Sequence, residues 1–228
     1  MAALKRDARR AGAVYFVFLV VGLFGMLGFS GFMVSGDAGA TARNILAAEG
    51  TYRLGILTDF VTLLVFLVLV VSLYGLLKDV DRWHARFMVL LVVVGVAIGC
   101  VNLLGKIGPL ILLHGTFWSG VFTKPQLEAL ALGCLDLTTS GNDITSVFWG
   151  LWLFPFGILV FKSTYLPRIL GILLLLAGVG YVATGVTAIA APVYSSVVSR
   201  FAMPLLFGEF PIIFWLLIKG AKAPQAQA

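Results

Sequence analysis

Charge is what this chain has least of. Lys, Arg, Asp and Glu make up only 11% of its 228 residues, where a soluble domain carries roughly 25%. Histidine and cysteine are nearly as scarce, with two of each. Cys100 falls in an apolar segment and Cys134 in a connection, and neither belongs to a CxxC or Cys/His ligand spacing. They read as two small buried thiols. A zinc centre wants three or four His, Cys or carboxylate ligands, and none can be assembled. HExxH, an EF-hand loop, a P-loop and a strand-borne GxGxxG are all missing. His84 and His114 fall at opposite ends of the predicted topology, so they cannot act together as haem ligands or support a serine nucleophile. No catalytic constellation is found, which weighs against an enzyme, and nothing identifies a cofactor or a metal.

What the chain has in abundance is apolar length. Hydrophobic residues make up 61%, and the mean hydropathy is +1.06. A soluble globular, disordered or fibrous protein is excluded by those values. A helix needs about 20 apolar residues to cross the hydrocarbon, and six stretches qualify: 11–34, 54–77, 87–113, 144–161, 169–190 and 201–218. Barrel strands would alternate apolar and polar residues, and these stretches do not. The N-terminal stretch exceeds the roughly 7–15 apolar residues of a cleaved signal and reads as a retained helix. The expectation is one all-α domain over 1–228, an integral membrane six-helix bundle.

The net charge of +6 would suggest nucleic acid in a soluble protein. Here the basic residues lie between apolar runs, and membrane orientation explains them better. One side takes Lys5, Arg6, Arg9, Arg10, Lys78, Arg82, Arg86, Lys162, Arg168, Lys219 and Lys222, eleven in all; the other takes Arg43, Arg53, Lys106, Lys124 and Arg200, five. The positive-inside rule then predicts both termini in the cytoplasm. The two outer connections are long. Thr41 is the expected N-cap of a short surface helix before Ile45 and Leu46, and Thr123 with Pro125 opens a second interfacial helix. Trp83, Trp118, Trp149, Trp152 and Trp215 fall near predicted helix ends, as in an interfacial belt.

Several segments carry a family pattern: GDAGATARNILAAEGTYRLGILTD, LYGLLKDVDR, QLEALALGCLDL, FKSTYLPRILGILLLLAGVGY and GEFPIIFWLLIKG. In this order, over nearly the whole chain, they resemble a bacterial membrane family known as domain of unknown function 4386. The chain departs from that family around Leu137 to Phe148, where TTSGNDITSVF stands in place of a stretch that carries a His. The resemblance implies the fold and a bacterial inner-membrane location. It implies no activity, substrate or cofactor.

Ionisable residues inside a bilayer are expensive and are functional candidates by default. Asp59, Asn102, Lys106 and Glu209 qualify, and Asp59, Lys106 and Glu209 lie roughly 8–12 Å below the outer surface at 1.5 Å per residue. Asn102 and Lys106 share one helix face, and Arg53, Glu49, Asp143 and His114 would rim the layer. Lys106 and Glu209, each beside a glycine, are the expected ion pair, with Asp59 as competing partner. Two readings stand: a protein that binds or transports a small molecule through an outward-facing polar pocket, or a non-catalytic structural or partner-binding protein whose charges hold the bundle in register. Gly22, Gly25, Gly28 and Gly31, at every third position, would admit a partner helix. Interruptions at Gly105–Pro109 and Gly208–Pro211 suggest two inverted halves of three helices.

Overall fold

In a computed structural model, which describes residues 2–222 apart from the Phe117 side chain, the chain is helical from end to end, with no strand among the described residues. The C-terminal end expected in the cytoplasm, beyond Lys222, lies outside them. The elements are α1 (Ala2–Phe29), α2 (Ala38–Ala47), α3 (Glu49–Leu77), α4 (Arg82–His114), α5 (Thr116–Ser119), α6 (Lys124–Leu151), α7 (Leu153–Lys162) and α8 (Arg168–Ala190). After a 3₁₀ turn at Pro192–Tyr194 come α9 (Ser195–Leu206), a second 3₁₀ turn at Phe207–Glu209 and α10 (Phe210–Phe214), and Trp215–Lys219 closes as a π-turn. Six stretches are long and apolar enough to cross a membrane: Ala2–Phe29, Glu49–Leu77, Arg82–His114, Lys124–Lys162, Arg168–Ala190 and Pro192–Lys219. This is an α-helical multi-pass membrane architecture.

Three local expectations are corrected. The second outer connection does not form a separate interfacial helix: α6 starts at Lys124 and runs straight into the fourth span. Its polar stretch is helical too, and the hydroxyls of Thr138, Thr139 and Ser140 are satisfied within the helix by donating to the carbonyls of Cys134, Leu135 and Asp136, four residues back. The discontinuity comes at Trp152 instead, three residues before Pro155, whose ring lacks the N–H to continue the ladder. The surface helix α2 is capped by Asp37, whose Oδ1 accepts from the Ala40 N–H at 2.8 Å, and not by Thr41. Thr41 is buried one turn in, and its hydroxyl donates to the Asp37 carbonyl. Finally, α4 continues through Pro109 to His114, whereas the last span does break at Phe207–Glu209. The expected matching interruptions of two inverted halves are therefore not both made.

The chain divides into two compact units. One comprises Met1–Leu19, Leu64–Ala97 and Asp143–Ala228. In its core Tyr15, Phe66, Trp152 and Phe156 are buried, with Trp152 and Phe156 stacked at 5.3 Å and Phe66 edge-on to Trp152 at 5.2 Å. Each such ring pair adds about 0.5–1.5 kcal/mol beyond its burial. Trp152 is thus a core residue and not a member of the belt; Trp83, 65% exposed, fits the belt. Glycine lets α7 and α8 approach: a Cβ on Gly171 would fall 2.6 Å from the Gly157 carbonyl oxygen. Four hydrogen bonds tie helix ends and connections of this unit together. The Arg9 guanidinium donates to the Ile218 carbonyl at 2.9 Å, Lys162 to Asp81 at 2.9 Å, the Lys222 N–H to the Tyr165 carbonyl and the Tyr165 hydroxyl to the Leu76 carbonyl at 2.7 Å. Burial pushes the Tyr165 phenol up to about 12.

The other unit comprises Val20–Leu63 and Ile98–Asn142. Its core gathers Phe32, Ile45, Tyr52, Leu110 and Leu135, with Phe29, Ile56 and Leu113 against them. Between α1 and α2 the chain turns at Gly31 and Gly36, whose φ values of +99° and +76° suit glycine. α2 is held there by Thr41, whose hydroxyl oxygen accepts from the Val34 N–H at 2.9 Å, and by Asn44, which donates to the Gly31 carbonyl.

Candidate functional site

In the Val20–Leu63 and Ile98–Asn142 unit, five of the six expected site residues fall into three groups on α3 and α4. Lys106 donates to Asp59 Oδ2 at 2.5 Å, and its ammonium also lies 3.7 Å from the centre of the Phe29 ring. Both side chains are mostly buried, at 15% and 24% exposure. A charge in such surroundings needs a partner and a polarisable wall, and Lys106 has both. The same turn is fixed from α3 by Tyr52, whose hydroxyl donates to the Lys106 carbonyl at 2.8 Å. Gly25 of α1 makes the room: a Cβ there would collide with the Asp59 carboxylate.

Asn102, one turn from Lys106, turns to α6. Its amide donates to the Thr138 carbonyl at 3.0 Å and to Asn142 Oδ1 at 2.8 Å. Gly105 and Gly108 of α4 lie directly against Cys134 and Thr138, so the polar stretch of α6 is a hydrogen-bonding face for α4. Asn142 was missed by sequence reasoning. A helical reading of the TTSGND stretch would have placed it four residues after Thr138 and exposed the match.

The third group lies at the start of α3. Glu49 Oε1 accepts from Arg53 Nε at 2.6 Å, and His114 Nε2 lies 2.8 Å from Glu49 Oε2. Arg53 is one wall residue of an open groove of about 580 Å³ between α3 and α4. The rest of the wall is Ile56, Leu57 and Phe60 from α3 with Cys100, Leu103, Leu104, Ile107, Leu110 and Ile111 from α4. The groove is apolar apart from Arg53. Asp59, Asn102 and Lys106 do not line it.

Glu209 belongs to the other unit, as does Asp143 of α6. The expected Lys106–Glu209 ion pair is corrected: Lys106 goes to Asp59, and Glu209 Oε1 takes the hydroxyl of Tyr15. Tyr15 carried no signal in sequence, since one tyrosine in an apolar run reads as core. At the opposite end of this unit a different cluster forms. Asp81 caps α4, accepting from the N–H groups of Trp83 and His84 at 3.1 and 3.2 Å, and its other oxygen faces His84 Nδ1 at 2.7 Å and Lys162 Nζ at 2.9 Å. The Lys162 ammonium, first, and the His84 contacts hold the Asp81 carboxyl well below the usual carboxylate range. Of the glycine stripe, Gly22 and Gly25 are taken up against Thr62 and Asp59 of α3, and nothing lies within 4 Å of a Cβ built on Gly28. Among the described residues no group of three or more His, Cys, Asp or Glu could hold a metal.

The fold defines a class: a helical multi-pass membrane protein with polar groups paired inside its spans. The chain belongs to the family described as domain of unknown function (DUF4386), whose profile matches residues 10–220. It is also similar to an uncharacterised protein of Archaeoglobus fulgidus, 37% identical over 92 residues, which are 40% of this chain and 54% of the relative. The chain thus spans about half the length of that relative. No solved structure matches it.

Proposed function

We propose that this is a non-catalytic membrane protein that binds an anionic phospholipid in the groove between α3 and α4. One observation carries the reading: a volume of about 580 Å³, within the usual range of ligand sites, walled by aliphatic and aromatic side chains with a single guanidinium among them. On α4 the wall runs from Cys100 to Ile111, on the order of 16 Å at 1.5 Å per residue, which suits one acyl chain. Leu57, Phe60, Leu104 and Ile111 are each more than 40% exposed, so the groove would open onto lipid. Arg53 sits four residues into its span, where a head group lies. Its Nε–H goes to Glu49, and its terminal nitrogens would serve a head group's phosphate as charge-assisted donors.

The same reading places the chain in the bacterial inner membrane with both termini cytoplasmic. The eleven-to-five basic asymmetry supports it, as do the bonds joining Arg9, Ile218, Tyr165, Lys162 and Asp81 at one end of their unit. Mass spectrometry of lipid retained by the purified protein tests the groove. Leu104→Trp, which fills it, should lower retention several-fold; Arg53→Gln should keep a lipid but abolish the preference for anionic over zwitterionic heads. Unchanged retention in both variants overturns the reading. A second reading, a partner-binding protein with no small ligand, is favoured by the pairing of Lys106 with Asp59 and by the open space at Gly28.

A further inference from the structure

Glu209, in the last span, is set apart from Asp59 by what surrounds it. It ends the 3₁₀ turn Phe207–Glu209, where the Phe210 N–H bonds back to the Phe207 carbonyl and Pro211 follows. Gly208 seats this break on α8, since a Cβ there would lie 2.6 Å from the Leu173 carbonyl oxygen. The hydrogen-bond donor to its carboxyl is the Tyr15 hydroxyl of α1. Tyr15 is itself fully buried, with Phe18, Trp152 and Phe156 ring centres 6.2, 6.3 and 6.4 Å away.

No cation answers it. Among the described residues, Asp59 and Glu49 in the spans and Asp81 between them each have a Lys, Arg or His within ion-pair distance, whereas Glu209, like Asp136 and Asp143 of α6, has none. The titratable groups that face it are Tyr15 from α1 and Tyr181 from α8, both phenols. From α9 and α10 none reaches ion-pair distance. An ionised carboxylate in such a place, held by one neutral donor, is strongly disfavoured. The neutral acid costs little.

We propose that Glu209 and Tyr15 form a proton-binding site inside the membrane, in which the Glu209 carboxyl carries the proton on Oε2 and accepts the Tyr15 hydroxyl on Oε1. The step is a plain protonation: one proton adds to the carboxylate, an O–H bond forms, and nothing is oxidised or reduced. The acid sits at the end of a 3₁₀ turn, whose bonds are poorer than the α-helical ladder on either side. The site stands independently of the lipid groove, which lies in the other unit.

Infrared spectroscopy of the full-length protein in liposomes, left in heavy water long enough for buried protons to exchange, tests this. At neutral pH the wild type should show a protonated-carboxyl C=O band that shifts in heavy water. Glu209→Gln should lose that band completely, and Asp59→Asn should keep it in full. A wild-type minus Glu209→Gln difference that shows carboxylate bands instead overturns the proposal. If those carboxylate bands move when sodium replaces choline, the site holds a metal cation and the proposal also fails. Labelling with dicyclohexylcarbodiimide gives a second readout. The acid's proton passes to a carbodiimide nitrogen as its oxygen bonds to the carbodiimide carbon, and the acyl group then migrates to nitrogen. The adduct should map to Glu209 and not to Asp59. Equal labelling of Asp59 and Glu209 would count against the contrast on which the proposal rests.

Discussion

Each compact unit of this protein contains an acid deep in an apolar span, and the two are handled in opposite ways. Asp59 has a lysine at 2.5 Å and that lysine has an aromatic face behind it. Glu209 has a phenol, and that phenol is itself packed among rings. Both arrangements satisfy the rule that a polar group in hydrocarbon must find a partner. One does so by keeping two charges together, the other by supplying a single neutral donor. Burial alone therefore says little about the ionisation of an acid in a membrane helix; the neighbour brought in by the fold decides it.

The comparison breaks most visibly at Lys106. Lys106→Met leaves the Asp59 charge buried without its partner, which typically costs about 3–5 kcal/mol, and thermal unfolding in detergent should report that loss. Asp59→Asn should behave similarly, while the double variant should recover much of the stability, because the desolvation cost of both ions disappears together. Losses that simply add would show that the two residues act separately.

On the other side the expected effect is smaller. Tyr15→Phe removes one hydrogen bond to the Glu209 carboxyl and should cost on the order of 1–2 kcal/mol. Glu209→Gln, which keeps an acceptor for the hydroxyl, should cost less than Tyr15→Phe in the same unfolding experiment. If Glu209→Gln is as damaging as Lys106→Met, Glu209 is a charge in its own right, and the contrast collapses.

Asp81 sharpens the comparison from outside the spans. It is held by Lys162 and His84 in an exposed connection, and its carboxyl titrates below the ordinary range. A depressed carboxyl contributes stability above its unfolded value of roughly 4 and loses it as pH falls through the lower folded value. Between neutrality and about pH 4 its contribution should thus stay constant. Below that, the wild type should lose its melting temperature more steeply than Asp81→Asn, and this is the smallest of the effects, because exposed pairs are screened.

The spans could be located from composition because hydrocarbon imposes a length and an apolarity that any crossing helix must meet. The start of α6 at Lys124 was marked by Thr123, whose N–H and hydroxyl donate to the Gln126 side chain at 2.8 and 2.9 Å, and by Pro125 in the first turn. Its continuation through TTSGND was not, because those residues favour turns in water, where the backbone can bond elsewhere, and favour bonding back to their own helix when solvent is absent. The candidate site was half legible. The depth of Asp59, Asn102, Lys106 and Glu209 followed from counting residues along a helix. Which of them meet did not, since depth fixes height along a helix and says nothing about azimuth.

By itself, then, the sequence determined the helical membrane class, the family and the set of polar groups that had to be satisfied within apolar spans. Three things awaited the tertiary structure. Lys106 goes to Asp59 because Gly25 of α1 leaves space for the carboxylate against α3. Glu209 meets Tyr15, although 194 positions separate them in the chain. The groove with Arg53 arises only where α3 and α4 run side by side. The reason is common to all three: partner choice depends on the rotation and approach of neighbouring helices, which side-chain volumes at many contacts set jointly and no single segment encodes.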